Sequence, residues 1–141
     1  MRDSGSSYEI SLDPARVDRD VLWDFLSTAY WGRWRTRADV EGQLESAWRV
    51  VSVHEGATGA MVGFARAISD GASIAYLADV FVLPEHRGRG LGDRIVAAMV
   101  DDEAGQLMRW MLHTKDAHGL YRRFGFAEPS QDYLERTSRR P

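Results

Sequence analysis

A short apolar stretch, Tyr76 to Val82, runs through Leu83-Pro84-Glu85-His86 into Arg87-Gly88-Arg89-Gly90-Leu91-Gly92, after which Ile95, Val96, Met99 and Val100 recur at helical spacing. The first part is rich in β-branched and aromatic residues and reads as a buried strand that stops at the proline. The periodic part reads as a helix, so the residues between must turn the chain from one to the other. A join of this kind at mid-chain calls for a layered α/β arrangement with a helix against a sheet. Glycines let the turn adopt positive φ and let a ligand approach its amides, and the first N–H groups of the helix carry partial positive charge. Such a place suits a phosphate, and Arg87 and Arg89 add two forked donors. The same composition can also do no more than cap a helix.

Three kinds of phosphate turn compete for this stretch. A nucleotide P-loop needs Gly-Lys-Ser/Thr at the helix start, where this chain has Leu91-Gly92-Asp93. A dinucleotide turn follows the first strand and has an acidic residue about 20 positions on, and neither condition is met. The third kind fits: Val82-x-Pro84-x-x-Arg87-x-x-Gly90-x-Gly92 resembles the acyl-CoA pyrophosphate loop of the GNAT superfamily of N-acetyltransferases. Downstream, Thr114-x-x-Ala117-x-x-Leu120-Tyr121 and then Arg122-Arg123-Phe124-Gly125-Phe126 resemble the family's tyrosine-bearing helix and its closing Gly-Phe. Together the two motifs span roughly Leu77 to Phe126.

The resemblance implies a single-domain α/β fold with a mixed central sheet, in the order β-α-α-β-β-β-α-β-α-β, whose fourth and fifth strands splay apart around a pantetheine arm. It implies acetyl-CoA as cofactor, with coenzyme A as product. Cofactor contacts fall on the backbone of Phe81 and Val82 and on Arg87, Gly88, Arg89, Gly90, Leu91, Gly92 and Asp93. Thr114 stands where the family often has asparagine, and its hydroxyl is a partial replacement. Tyr121 takes the place of the family's catalytic tyrosine.

The rest of the chain bounds the reading. Its 141 residues suffice for one core, with residues 1–7 expected as a disordered lead-in, 8–136 as the acyltransferase domain and 137–141 as a flexible tail. Without cysteine there are no disulfides, thiolate zinc sites or acyl-cysteine intermediates, so acyl transfer must be direct or use another nucleophile. The net charge of −3 gives no general attraction to nucleic acid. No apolar run reaches the roughly 20 residues that span a bilayer. The start of the chain lacks the apolar segment of a signal peptide, which gives a cytoplasmic expectation. The four histidines lie on separate elements without metal-ligand spacing, so no metal is expected.

In chain order, Tyr8–Leu12 alternates as a first strand, and Val21, Leu22, Phe25, Leu26 and Ala29 form one face of a helix that Asp18 or Asp20 can cap. Val40, Leu44 and Ala47 suggest a second, short helix. Trp48–His54, Ala60–Ile68 and Ile74–Val82 form an antiparallel meander, Leu91–Glu103 a crossing helix, and Met108–His113 a parallel fifth strand. A helix over Ala117–Arg123 and a closing strand over Tyr133–Arg136 complete the order.

Transfer to an amine needs a proton acceptor, since an alkyl ammonium has a pKa of about 10.4. Asp79 is a charge inside an apolar strand, two residues before Phe81 and on its face. It suits either holding and deprotonating the acceptor or a salt bridge to Arg66 on the neighbouring strand. The Phe81 amide suits an oxyanion. Tyr121 suits protonation of the departing thiolate, or simple packing of its helix. Trp31 and Trp34, with Arg33, Arg35 and Arg37 around them, suit the wall of an acceptor pocket, or burial against the first helix. With Arg66 they suggest an amine that also carries a carboxylate or phosphate. The function expected is acetyl transfer from acetyl-CoA to a primary amine of a small molecule or peptide. The alternative is an acyl-CoA-binding sensor without turnover. An exposed sheet edge near the C-terminus would allow a homodimer.

Overall fold

The computed structural model describes residues 7–140, so most of the expected lead-in lies outside the described residues. One five-stranded sheet, in spatial order β1-β2-β3-β4-β5, organises the chain. It comprises β1 (Tyr8–Ser11), β2 (Arg49–Glu55), β3 (Met61–Ser69), β4 (Ile74–Val82) and β5 (Arg109–Met111). The first four strands are antiparallel to their neighbours, and β5 lies parallel to β4. The α/β class and the mixed sheet expected from the sequence are both present.

Helices cover both faces, and β2 accordingly is buried at five consecutive positions, Val50 to His54, rather than at every other one. On one face α1 (Arg19–Leu26) and α2 (Arg37–Ser46) set Leu22, Leu26, Val40 and Leu44 against Val50, Met61, Phe64 and Phe81. On the other, α3 (Leu91–Val100) sets Leu91, Ile95, Val96 and Met99 against Val51, Val53, Val62 and Leu77. Local chemistry fixes the helix starts. The Asp18 carboxylate accepts from the amides of Asp20 and Val21, and Thr36 and Asp39 form a reciprocal capping box on α2.

The chain departs from the sequence reading in two places. The helix expected over Leu91–Glu103 ends at Val100, and a separate turn of helix, α4 (Glu103–Gln106), begins under Asp102, whose carboxylate accepts from the Gly105 amide and is gripped by Arg49. The closing strand expected over Tyr133–Arg136 is absent: those residues are exposed and do not enter the sheet's hydrogen-bond ladder. A short helix, α5 (His118–Arg122), precedes them. Among the described residues no helix is long and apolar enough to cross a membrane.

Candidate active site

Strand β4 pairs with β5 only through Ile74, Ala75 and Tyr76, although it continues to Val82. Beyond Tyr76 the two strands part, and the edge of β4 lies open as far as the glycine turn. There Gly88 and Gly90 take left-handed φ values of 77° and 76°, and Gly90 caps α3 without a side chain. A Cβ at either glycine would meet nothing within 4 Å. The amides of Leu91, Gly92 and Asp93 form the first turn of α3 and have no acceptor among the described residues. Three amides and the positive end of a helix over open space are what a pyrophosphate requires. The Asp93 side chain faces elsewhere, accepting from Arg123 at 2.8 Å and tying α3 to the end of α5. Arg87 and Arg89 are both exposed on the turn.

Register decides what the splayed edge offers. The Leu83 amide donates to the Val62 carbonyl at 2.8 Å, and Phe81, two residues earlier and opposite Phe64, is in the same phase, so its amide faces β3. Val82 is in the opposite phase. Its carbonyl accepts from Arg87 Nε at 2.9 Å, and its amide faces the gap. The Phe81 amide, expected to face an oxyanion, is therefore turned away from the gap, and the Val82 amide is the one turned towards it. The Phe81 ring stacks on Phe25 at 4.1 Å between centroids and pins α1 to β4.

Tyr121 sits in α5 with its ring buried edge-on to Phe126, and among the described residues nothing hydrogen-bonds its hydroxyl. Burial, reinforced by the charge of Asp116, pushes the phenol up to about 12, so it stays protonated at any physiological pH. It lines a groove of about 1190 Å³ between β5, α5 and the C-terminal segment, together with Tyr76, His113 and Thr114. The Thr114 hydroxyl accepts from the Ala117 amide at 3.1 Å, so it is engaged in starting α5.

Asp79 is the most heavily bonded side chain of the region. At its position β4 bulges: Asp79 and Val80 oppose the single residue Ala65, and Asp79 takes φ of 56°. The extra residue reverses the alternation. Leu77 faces α3, whereas Asp79 and Phe81 both face α1 and α2. The carboxylate there accepts four donors: Arg35 Nη1 and Nη2 at 2.8 and 3.0 Å, Arg66 Nε at 2.7 Å and Trp31 Nε1 at 2.9 Å. Four donors saturate two carboxylate oxygens. Burial pushes this carboxyl up, but the Arg35 hydrogen bonds and the Arg66 charge outweigh it and hold the group below the usual carboxylate range. Asp79 is therefore a poor proton acceptor, and the salt bridge to Arg66 is the alternative the structure contains.

Arg35 stands in the sequence only as one of three arginines near Trp31, and its pairing with Asp79 is what sequence reasoning missed here. It also bonds Gln43 and the Gly32 carbonyl, and any side chain at Gly32 would run into its guanidinium. Trp31 reaches the site through Asp79, whereas Trp34 lies apart from it, under the Arg140 guanidinium at 3.7 Å. A second network was equally hidden. The Tyr76 hydroxyl meets His113 Nδ1 at 2.5 Å, and His113 Nε2 lies 3.2 Å from Glu135. Among the described residues no group of three His, Asp or Glu side chains could hold a metal ion.

This architecture is an α/β domain built on a mixed sheet whose β4 and β5 part beside a glycine turn, and comparison with known proteins places it in a family. The profile of the acetyltransferase (GNAT) domain matches residues 46–128. An acetyltransferase candidate of Gibberella zeae, FG08082, is 34% identical over 120 residues, which span 82% of this chain and 63% of that protein. The crystal structure of a GNAT-family acetyltransferase candidate from Xanthomonas campestris superposes with a TM-score of 0.86 at 37% identity, covering 94% of each chain. N-acetylglutamate synthase from Neisseria gonorrhoeae, crystallised with coenzyme A and N-acetyl-glutamate, shares the fold at 15% identity, with a TM-score of 0.67 over 91% of this chain and 30% of that one. The chain belongs to the GNAT acetyltransferase family.

Proposed function

We propose that this chain transfers an acetyl group from acetyl-CoA directly to a primary amine of a small molecule or peptide. The observation that carries the reading is the splay of β4 from β5, which ends at one side in the open amide turn of α3 and at the other beside Tyr121. Acetyl-CoA supplies the activated thioester. The amides of Leu91, Gly92 and Asp93 hold its diphosphate, Gly88 and Gly90 leave room for it, and Arg87 and Arg89 supply charge. The Val82 amide faces the place where carbonyl charge develops. Tyr121 donates a proton to the departing sulfur. Asp79 holds Trp31, Arg35 and Arg66 in place instead of accepting the ammonium proton. That proton leaves through Tyr76 to His113, which Glu135 orients.

Purified protein with acetyl-CoA and a panel of primary amines should release free thiol in proportion to acetylated product. Stabilisation by coenzyme A without thiol release for any amine would favour the acyl-CoA sensor instead. Gly90→Glu should abolish coenzyme A binding, measured by calorimetry, because a carboxylate at this open, left-handed position would face the diphosphate. Unimpaired binding would remove the loop assignment.

A further inference from the structure

Two guanidiniums and one carboxylate are buried together, which leaves the cluster one positive charge in excess. Arg35 is satisfied on three sides, by Asp79, Gln43 and the Gly32 carbonyl. Arg66 is not. Its residue is only 8% exposed, and it gives Nε to Asp79, yet Nη1 and Nη2 have no partner among the described residues. Among the described residues no wholly buried side-chain nitrogen or oxygen lacks a partner, so both of these nitrogens are reached by solvent. A guanidinium held almost entirely inside the protein, with its outer fork open, is a poor place for water alone and a good one for a planar anion. Arg66, Phe64 and Phe81 share the sheet face that carries α1, Trp31 donates to the same Asp79 carboxylate as Arg66, and Tyr76 stands on β4 opposite Ile68, two residues along β3 from Arg66.

From this we infer that the outer fork of Arg66 is the anchor for a carboxylate on the acceptor, so that the substrates are amines that also carry a carboxylate group. The inference rests on the acetyl-transfer reading for the word acceptor, but the anion site does not. The carboxylate completes the charge of the cluster and makes two parallel N–H···O bonds. Its amine then points along β4 towards the splayed edge.

The test compares amino acids with their carboxamides, in the wild type and in Arg66→Lys, which keeps a cation beside Asp79 but loses the fork. Three quantities are read for each protein: thiol release with acetyl-CoA, thermal stabilisation by N-acetylated amino acids and by their amides, and coenzyme A affinity. The wild type should prefer the carboxylate member of a pair by about 10- to 100-fold in kcat/KM, the size of a charge-assisted bidentate contact. Arg66→Lys should bring the preference close to one, mainly through KM, with coenzyme A affinity kept. Equal use of carboxylate and amide by the wild type, or an unchanged preference in a folded Arg66→Lys, overturns the inference. If no amine is acetylated but carboxylates stabilise the wild type and not Arg66→Lys, the anion site stands and acetyl transfer falls. If no carboxylate in the panel is turned over or stabilises the wild type, the anion site falls. Arg66→Met serves as a second variant should the lysine form melt early, with the same loss of preference expected.

Discussion

Asp79→Asn is expected to destabilise the fold by about 3–5 kcal/mol, the usual cost of removing one partner from a buried charge network. The backbone is not the reason, since asparagine accepts the left-handed conformation at φ 56° as readily as aspartate does. The reason is charge. Arg35 and Arg66 have side chains only 4% and 10% exposed, and they would face each other with a neutral amide between them whose NH2 group points donors at donors. For a domain of this length the loss should lower the melting temperature by about 10–20 °C, and loosening of Trp31 should shift its fluorescence. A fall of less than about 1 kcal/mol, the size of an exposed pair, would mean that the cluster is solvated. The effect also has a pH signature. Because the folded carboxyl is held below its ordinary value, its stabilisation is complete above the unfolded pKa of about 3.9 and is lost as pH falls through the folded one. The gap between wild type and variant should therefore be constant near neutrality and close only in acid.

Tyr121→Phe should lower turnover by about 10²- to 10⁴-fold, the contribution of a positioned proton donor, with coenzyme A affinity unchanged. Phenylalanine keeps the ring against Phe126 and in the core beside α3, so the fold and the groove survive and only the hydroxyl is lost. With the phenol raised to about 12, its ionisation should contribute no alkaline limb to the wild-type rate profile below that pH. Full activity in the variant would reassign the tyrosine to packing. An alkaline limb that disappeared with it would mean that the hydroxyl titrates lower in the working complex than in the free protein.

The strand, turn and helix from Tyr76 to Val100 were legible because each speaks in local code: β-branched residues, a proline, glycines and a four-residue apolar period. Asp79 was legible as an anomaly, one charge in an apolar strand. What it does was not. Arg35 lies between Arg33 and Arg37 in a polar segment, and nothing local distinguishes the buried arginine from its neighbours; only the packing of α1 and α2 brings it to β4. The bulge was hidden for a related reason, since no glycine marks the positive φ. The division at Val100 left a faint sign in Asp101-Asp102, an N-cap residue placed inside an apparently continuous helix. Tyr133–Arg136 has strand-like composition, but a strand is completed by the hydrogen bonds of a neighbour, and composition cannot supply those.

The bulge at Asp79 carries an evolutionary corollary. One carboxylate knits the helical layer to the sheet and, on the anion site proposed above, also fixes the cation that selects the acceptor, so descendants of this chain should not trade that residue for a new preference without unravelling. Diversification should instead accumulate around the rim, leaving the central triad of opposite charges as the inherited constant.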